Sequence, residues 1–341
     1  MAINSGTADT SPSKIVVLGT GGTIAGRASS AGDNIGYTAG EVGVAQLLES
    51  IGAFQNGALA LVAEQVAQVD SKDMDFALWQ RLAGRCAHWL AQPEVQGIVI
   101  THGTDTLEET AYFLQAVLDP AKPIVLTCAM RPATALVPDG PQNLLDAVTV
   151  AATAGAHGVV AVCAGNIHGA LDVQKVHSYK VDAFSSGDAG LVGVVEEGRV
   201  RLYRPWPGAV DSYKENMPLA QVAPAPAAIK NIVLRGADAD GYWPRVEIVL
   251  NYAGASGLLV DALVAQGVRG IVAAGTGNGT LHVDLQAALL RAMAAGVRVR
   301  RSTRSVFGRV LATPADAIPD AHGLSPVKAR IALLLELLAE A

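Results

Sequence analysis

Charge of either sign is scarce in this 341-residue chain: only 16% of residues are Asp, Glu, Lys or Arg, while 50% are apolar. That balance excludes intrinsic disorder and points to a sheet buried on both faces or a large buried interface, and so to self-association. The net charge is −6 and the one basic cluster, Arg298 to Arg304, is short, so the electrostatic footprint of a nucleic-acid binder is missing. Cysteine is rarer still. Cys86, Cys128 and Cys163 are odd in number and widely spaced, which supports neither a disulfide framework nor a zinc site and fits a reducing, cytoplasmic setting. The longest apolar-looking stretch, Ala147 to Gly165, is broken by Thr149, Thr153, His157 and Gly158 and reads as a helix followed by a strand, so no membrane span is expected. Residues 1–13 are polar, without a basic segment leading into an apolar one, and read as a flexible lead-in.

Several chemistries are also missing. The turn after the first apolar run, Gly19-Thr20-Gly21-Gly22-Thr23-Ile24-Ala25-Gly26, has Ile24 where a dinucleotide fingerprint needs a small residue. Arg27 and Ala28 stand where a phosphate-cradling loop needs lysine and a hydroxyl. The seven histidines form no i, i+4 pair around a glutamate, and no G-x-S-x-G elbow is present. No metal, nucleotide or other cofactor is expected.

What is present is a regular alternation of strands and helices. Ile15-Val16-Val17-Leu18, bounded by glycine, reads as a buried parallel strand whose exit is a usual ligand position. Arg27 to Tyr37 lacks apolar periodicity and reads as a mobile loop able to cover a ligand. A helix over Glu41 to Ser50, a strand over Leu61 to Val69 and a helix from Met74 with Asp73 as its N-cap follow. Next come Gly97 to Ile100 as a strand, Thr101-His102-Gly103-Thr104-Asp105-Thr106 as its turn, and a helix through Leu118. Ile124 to Thr127 and Val159 to Cys163 are strands flanking a helix over Gln142 to Ala156, and Val192 to Tyr203 reads as a hairpin. The proline-rich stretch Pro205 to Pro226 is the best linker in the chain. Beyond it strands are expected near Ile232, Ile248, Ile271 to Ala274 and Val297 to Arg300. Helices are expected over Leu258 to Gln266, Asp284 to Ala295 and from Pro326. The fold class is therefore α/β with two domains, a larger N-terminal parallel-sheet domain with an added hairpin (14–204) and a smaller C-terminal α/β domain (229–341), joined by a linker (205–228).

The remaining chemistry belongs to threonine. Thr23 lies in the first turn and Thr104-Asp105 in a second, with Lys175 as a possible base. A threonine hydroxyl attacks only when a neighbour takes its proton, and a lysine can do so only when its surroundings lower its pKa. On the residues alone, Thr23 reads equally as a turn-stabilising hydroxyl and Lys175 as an ordinary surface lysine.

Two long segments, Thr20 to Gly26 and Thr101 to Ala111, resemble the two signature segments of bacterial-type L-asparaginases and glutaminase-asparaginases. The likeness runs from about Lys14 to Arg330 and takes in Ala129-Met130-Arg131-Pro132, Asn251-Tyr252-Ala253 and Gly275-Thr276-Gly277-Asn278-Gly279 in order. The resemblance implies that Thr23, aided by Tyr37, attacks the side-chain amide of asparagine. Water activated by Thr104 and Lys175 would then release aspartate from a β-aspartyl ester. It implies that Ser71 holds the substrate α-carboxylate and Asp105 its α-amino group, with Lys72, Gly22 and Gly103 beside them. Backbone amides of the glycine turns would serve as oxyanion donors, worth about 3 kcal/mol each. It implies a homotetramer, or otherwise a homodimer, acting on a small molecule. Three departures fall on recognition: Lys72 where many periplasmic relatives have glutamine, Gly254 where they often have asparagine, and a shorter segment from Phe307 to Gly323. A non-catalytic amino-acid-binding relative, an amidotransferase acting on charged transfer RNA and a broad glutaminase-asparaginase are the competing readings.

Overall fold

A computed structural model describes residues 13–52, 59–207, 230–231, 233–234 and 243–340. The lead-in over 1–12, most of the expected linker and Ile232 lie outside the described residues. Val233 and Leu234, beside the strand expected at Ile232, are helical.

In the larger sheet, β1 (Ser13–Gly21), β2 (Leu59–Val69), β3 (Val95–Thr101), β4 (Ile124–Thr127) and β5 (Val159–Cys163) run parallel in the order β2-β1-β3-β4-β5. The sheet continues through β6 (Asn166–Gly169), which is antiparallel to β5. Beyond the two-residue ribbon β7 (Gln174–Lys175) and β8 (Phe184–Ser185), it is completed by the expected hairpin, β9 (Gly193–Glu196) and β10 (Arg199–Leu202). The last three strands thus pair antiparallel, with β6 and β10 running against the other six.

The apolar runs are continuous because alternate side chains fill two cores. Val16, Leu18, Ile98, Ile100, Ile124 and Leu126 pack into one, and Ile15, Val17, Val99 and Val125 into the other. The first core is covered by α2 (Phe76–Leu90) and α3 (Leu107–Leu118), the second by α1 (Val44–Glu49) and α4 (Gly140–Ala151). At the far edges of β4 and β5, Cys128 and Cys163 meet with their sulfurs 2.9 Å apart.

The smaller domain is a parallel sheet of β11 (Val246–Leu250), β12 (Gly270–Gly275) and β13 (Arg298–Thr303) with α5 (Leu258–Ala265), α6 (Val283–Ala294) and α7 (Pro326–Ala339). The apolar face of α7, with Ile331, Leu334 and Leu335, joins the same core as Leu107, Phe113 and Leu114 of α3, so the two domains share one core.

Two local expectations are corrected. Asp73 does not cap α2: the 3-10 turn Ser71–Asp73 intervenes, and Asp75 accepts the Leu78 N–H at 2.7 Å. The helix expected to reach Ala156 ends at Ala151, because the chain turns there through Gly155 and Gly158 at φ of 78° and 74°. Substituting Asp75→Ala should cost about 1 kcal/mol of stability. Asp73→Ala, whose partner Lys72 is exposed, should change little. Thermal midpoints of the two variants check this, and an equal effect would contradict it.

Candidate active site

The chain leaves β1 toward β2 on one side and later enters β3 on the other, so β1 and β3 border the point where the strand order reverses. Ligands of open α/β sheets bind outside the strand ends at such a point. The turns after β1, β2 and β3 meet there, and glycine is what lets them meet. Gly22 has φ 80°, and a Cβ on it would lie 2.3 Å from Gly103 Cα; a Cβ on Gly103 would lie 2.4 Å from Ser71 Oγ. Backbone therefore packs against backbone where any side chain would collide. Thr20 ties the turns by donating to the Thr101 carbonyl at 2.8 Å. Thr106, at the N-cap of α3, uses its hydroxyl on the Ser71 carbonyl at 2.7 Å.

The contact brings two polar groups together. Thr23 opens a 3-10 turn, is 6% exposed, and its Oγ1 is 2.6 Å from the Tyr37 hydroxyl. Gly26 leaves room for that ring: a Cβ there would lie 2.8 Å from Tyr37 Cδ2. In the second group, Lys175 Nζ donates to Thr104 Oγ1 at 2.8 Å and to Asp105 Oδ1 at 2.6 Å. Thr104 is buried, and Lys175 is only 19% exposed at its side chain, so it is not an ordinary surface lysine. Ser71 is buried, and its Oγ accepts the Asp105 N–H at 3.2 Å, which leaves its own O–H to donate elsewhere.

Not every expected residue joins. The Lys72 side chain is 61% exposed and pairs with Asp73 and Asp70 on the rim, which raises its pKa chiefly through the Asp73 hydrogen bond. The Gly22 N–H donates to the Val69 carbonyl at 2.9 Å, so this glycine contributes its missing side chain and no oxyanion donor. The loop over Arg27 to Tyr37 is closed at its base by paired Arg27 and Thr38 backbone bonds and is held to the following loop through Ala28 to Thr134 and Leu136 to Ala31. A cleft of about 340 Å³ beside it, between Asn34, Arg131 and Tyr179, is lined by none of the clustered side chains.

Sequence reasoning missed the support beneath the second turn. Trp79 Nε1 donates to Thr110 Oγ1 at 2.9 Å, and that hydroxyl meets His102 Nε2 at 2.9 Å. Trp79 can only donate, so Thr110 gives its own hydrogen to Nε2, and His102 Nδ1–H donates to the Gly103 carbonyl at 2.7 Å. Both residues lie in the Thr101 to Ala111 segment, eight positions apart, one in the turn and one on the helix it starts. Burial holds the His102 pKa down to about 4 from 6.5.

Among the described residues no group of histidine, cysteine and carboxylate side chains could hold a metal ion, and no helix is long and apolar enough to cross a membrane.

Residues 14–207 match the family model "Asparaginase, N-terminal" and residues 245–340 match "Glutaminase/Asparaginase C-terminal domain". The chain therefore belongs to the asparaginase family of two-domain α/β proteins. It is 36% identical over 329 residues to L-asparaginase 2 of Bacillus subtilis, covering 95% of this chain and 82% of that protein. It is 35% identical over 331 residues to the glutaminase-asparaginase of Pseudomonas fluorescens biotype A, covering 95% and 86%. The crystal structure of a probable cytoplasmic L-asparaginase from Campylobacter jejuni superposes with a TM-score of 0.83 at 35% identity, over 95% of both chains.

The neutral state of His102 has a consequence for stability. The unfolded chain takes up its proton near pH 6.5 and the folded chain only near pH 4, so this contribution is complete above pH 6.5 and is lost as pH falls toward 4. The destabilisation caused by His102→Asn should accordingly shrink between pH 6.5 and pH 4. Denaturant titrations at both pH values test this, and a penalty that grows on acidification would refute it.

Proposed function

We propose that this protein hydrolyses L-asparagine to L-aspartate and ammonia through a threonine nucleophile and an acyl-enzyme intermediate. The observation that carries this reading is the meeting of a Thr23–Tyr37 hydroxyl pair, 2.6 Å apart, with a Thr104–Lys175–Asp105 group bonded at 2.8 and 2.6 Å. Thr23 Oγ1 attacks the side-chain carbonyl carbon while Tyr37 takes its proton and hands its own hydroxyl hydrogen to the amide nitrogen; the C–N bond breaks, and the protonated nitrogen leaves as ammonia. Water then adds to the ester as Thr104 takes its proton and passes its own hydrogen to Lys175 in the neutral amine form, and Lys175 returns a proton through Thr104 to the leaving Thr23 oxygen. Ser71, whose O–H is free to donate, binds the α-carboxylate, and Asp105 binds the α-ammonium, which also competes for the carboxylate that holds Lys175. The names of relatives, L-asparaginase and glutaminase-asparaginase, support an amidohydrolase acting on small amides.

Purified protein should release ammonia from asparagine without added metal or nucleotide. Thr23→Ala should lower kcat about a thousandfold or more while leaving the fold intact, and Lys175→Met by roughly 10² to 10⁴. Near-normal turnover in either folded variant would remove that residue from the mechanism.

Glutamine is longer by one methylene, which a pocket wall discriminates by only about 1–3 kcal/mol. It must also keep both α-groups on Ser71 and Asp105 while its amide reaches Thr23. Asparagine should therefore have the higher kcat/KM, and an equal or higher value for glutamine would make this a glutaminase-asparaginase.

A cytoplasmic homotetramer is part of the same reading. The three free cysteines fit a reducing compartment. Ile35 and Leu136, each 80% exposed, and Leu258, 76% exposed, leave apolar surface for a second copy to cover. Light scattering showing an active monomer would overturn the assembly.

A further inference from the structure

Lys328 is the third residue of α7 and has no solvent exposure at all. A cation there bears two costs: burial, which pushes its pKa down to about 8, and a place in the first turn of a helix, where the backbone dipole disfavours positive charge. An apolar side chain would fill the space without either, as replacements of buried ion pairs show, so helix packing does not account for a lysine.

Its contacts do. Nζ donates to the Leu171 carbonyl at 2.8 Å and the Val173 carbonyl at 2.6 Å, in the turn that leads directly into Lys175. From the other side, Glu108 of α3 accepts the backbone N–H of Lys175 at 2.7 Å. The charged groups facing Lys328 are Glu108 and Asp172, and Asp172 is itself paired with Arg204 at 2.5 Å. Two side chains of opposite charge, the fully buried Lys328 and the half-buried Glu108, one from each domain, thus grip the backbone on which Lys175 stands.

Resting on the role proposed above for Lys175, we propose that Lys328 is a positioning residue through which the smaller domain fixes the reach of Lys175 to Thr104 and Asp105. Lys175 sits on a ribbon strand of two residues, too short to hold its own register. With the 171–173 carbonyls released, that backbone shifts, and the Nζ loses the geometry that both of its hydrogen bonds require.

The test compares wild type with Lys328→Met and Lys328→Gln, the latter retaining two N–H donors on a shorter side chain. Two quantities are read: steady-state kinetics with asparagine, and the rate at which acetic anhydride modifies Lys175, followed by peptide mass spectrometry. Lys328→Met should lower kcat by roughly ten- to a hundredfold with KM within about twofold, and Lys175 should be acetylated several-fold faster as its partners are lost. Lys328→Gln should fall between it and wild type. A folded variant with wild-type kcat and unchanged Lys175 labelling overturns the proposal, as does a chain that cannot fold with either substitution, since Lys328 would then serve stability alone. Labelling does not depend on turnover. If wild type releases no ammonia from asparagine, the function fails separately and the labelling still decides the role of Lys328.

Discussion

The site depends on one steric constraint, the contact of two glycine turns. Gly22 and Gly103 meet so closely that a Cβ on Gly22 would collide with the Gly103 backbone, and one on Gly103 with the Ser71 side chain. Everything chemical is displaced from that contact by one residue: Thr23 follows Gly22 on one side, and Thr104 follows Gly103 on the other. Backbone has no rotamers, so the contact fixes the relation between the two hydroxyls more tightly than side-chain packing could. The turns in turn are fixed by β1 and β3, neighbouring parallel strands whose residues are buried on both faces.

Around this rigid centre the polar groups are held by partners that are themselves fixed. His102 braces the Gly103 carbonyl and is locked by Thr110 and Trp79; Tyr37 reaches Thr23 across Gly26; Lys175 is secured through its backbone by Glu108 and through the preceding carbonyls by Lys328. Such buried networks are strong when every member is satisfied and costly when one is removed. Lys328 makes the shared core of the two domains more than apolar glue, because it carries a link from α7 to the edge of the site. The exposed member is Asp105, with 54% of its side chain accessible, which suits the role proposed for it of exchanging Lys175 for a substrate ammonium.

Much of this was legible in the chain itself. The alternating strands and helices, the hairpin, and the placement of Thr23 and Thr104 at strand exits follow from apolar runs ending in glycine, because local sequence determines both the run and its break. Ser71 and Tyr37 carried no local signal of their own and Lys175 read equally as a surface lysine; a resemblance of long motifs gave them roles, and the structure brings all three to the turns. Lys328 was invisible, since its partners lie about 155 residues away and no periodicity marks a lysine turned inward. Asp73 and Asp75 illustrate the opposite failure: two caps within one helical start are equivalent in sequence, and the intervening 3-10 turn decides between them. Lys72 was placed by its neighbour Ser71, yet adjacent residues of a turn face opposite ways, and its ammonium goes to the rim.

In the proposed chemistry Gly22 and Gly103 set Thr23 as the attacking group and Thr104, with Lys175, as the group that serves water. Acid quenching during asparagine turnover, followed by peptide mass spectrometry, reads this directly. An aspartyl ester should appear on the Thr23 peptide, absent in Thr23→Ala and accumulating in Lys175→Met, where the second step is slowed. An ester on Thr104, or turnover in which quenching at the earliest times and in Lys175→Met leaves the chain unmodified, would contradict it.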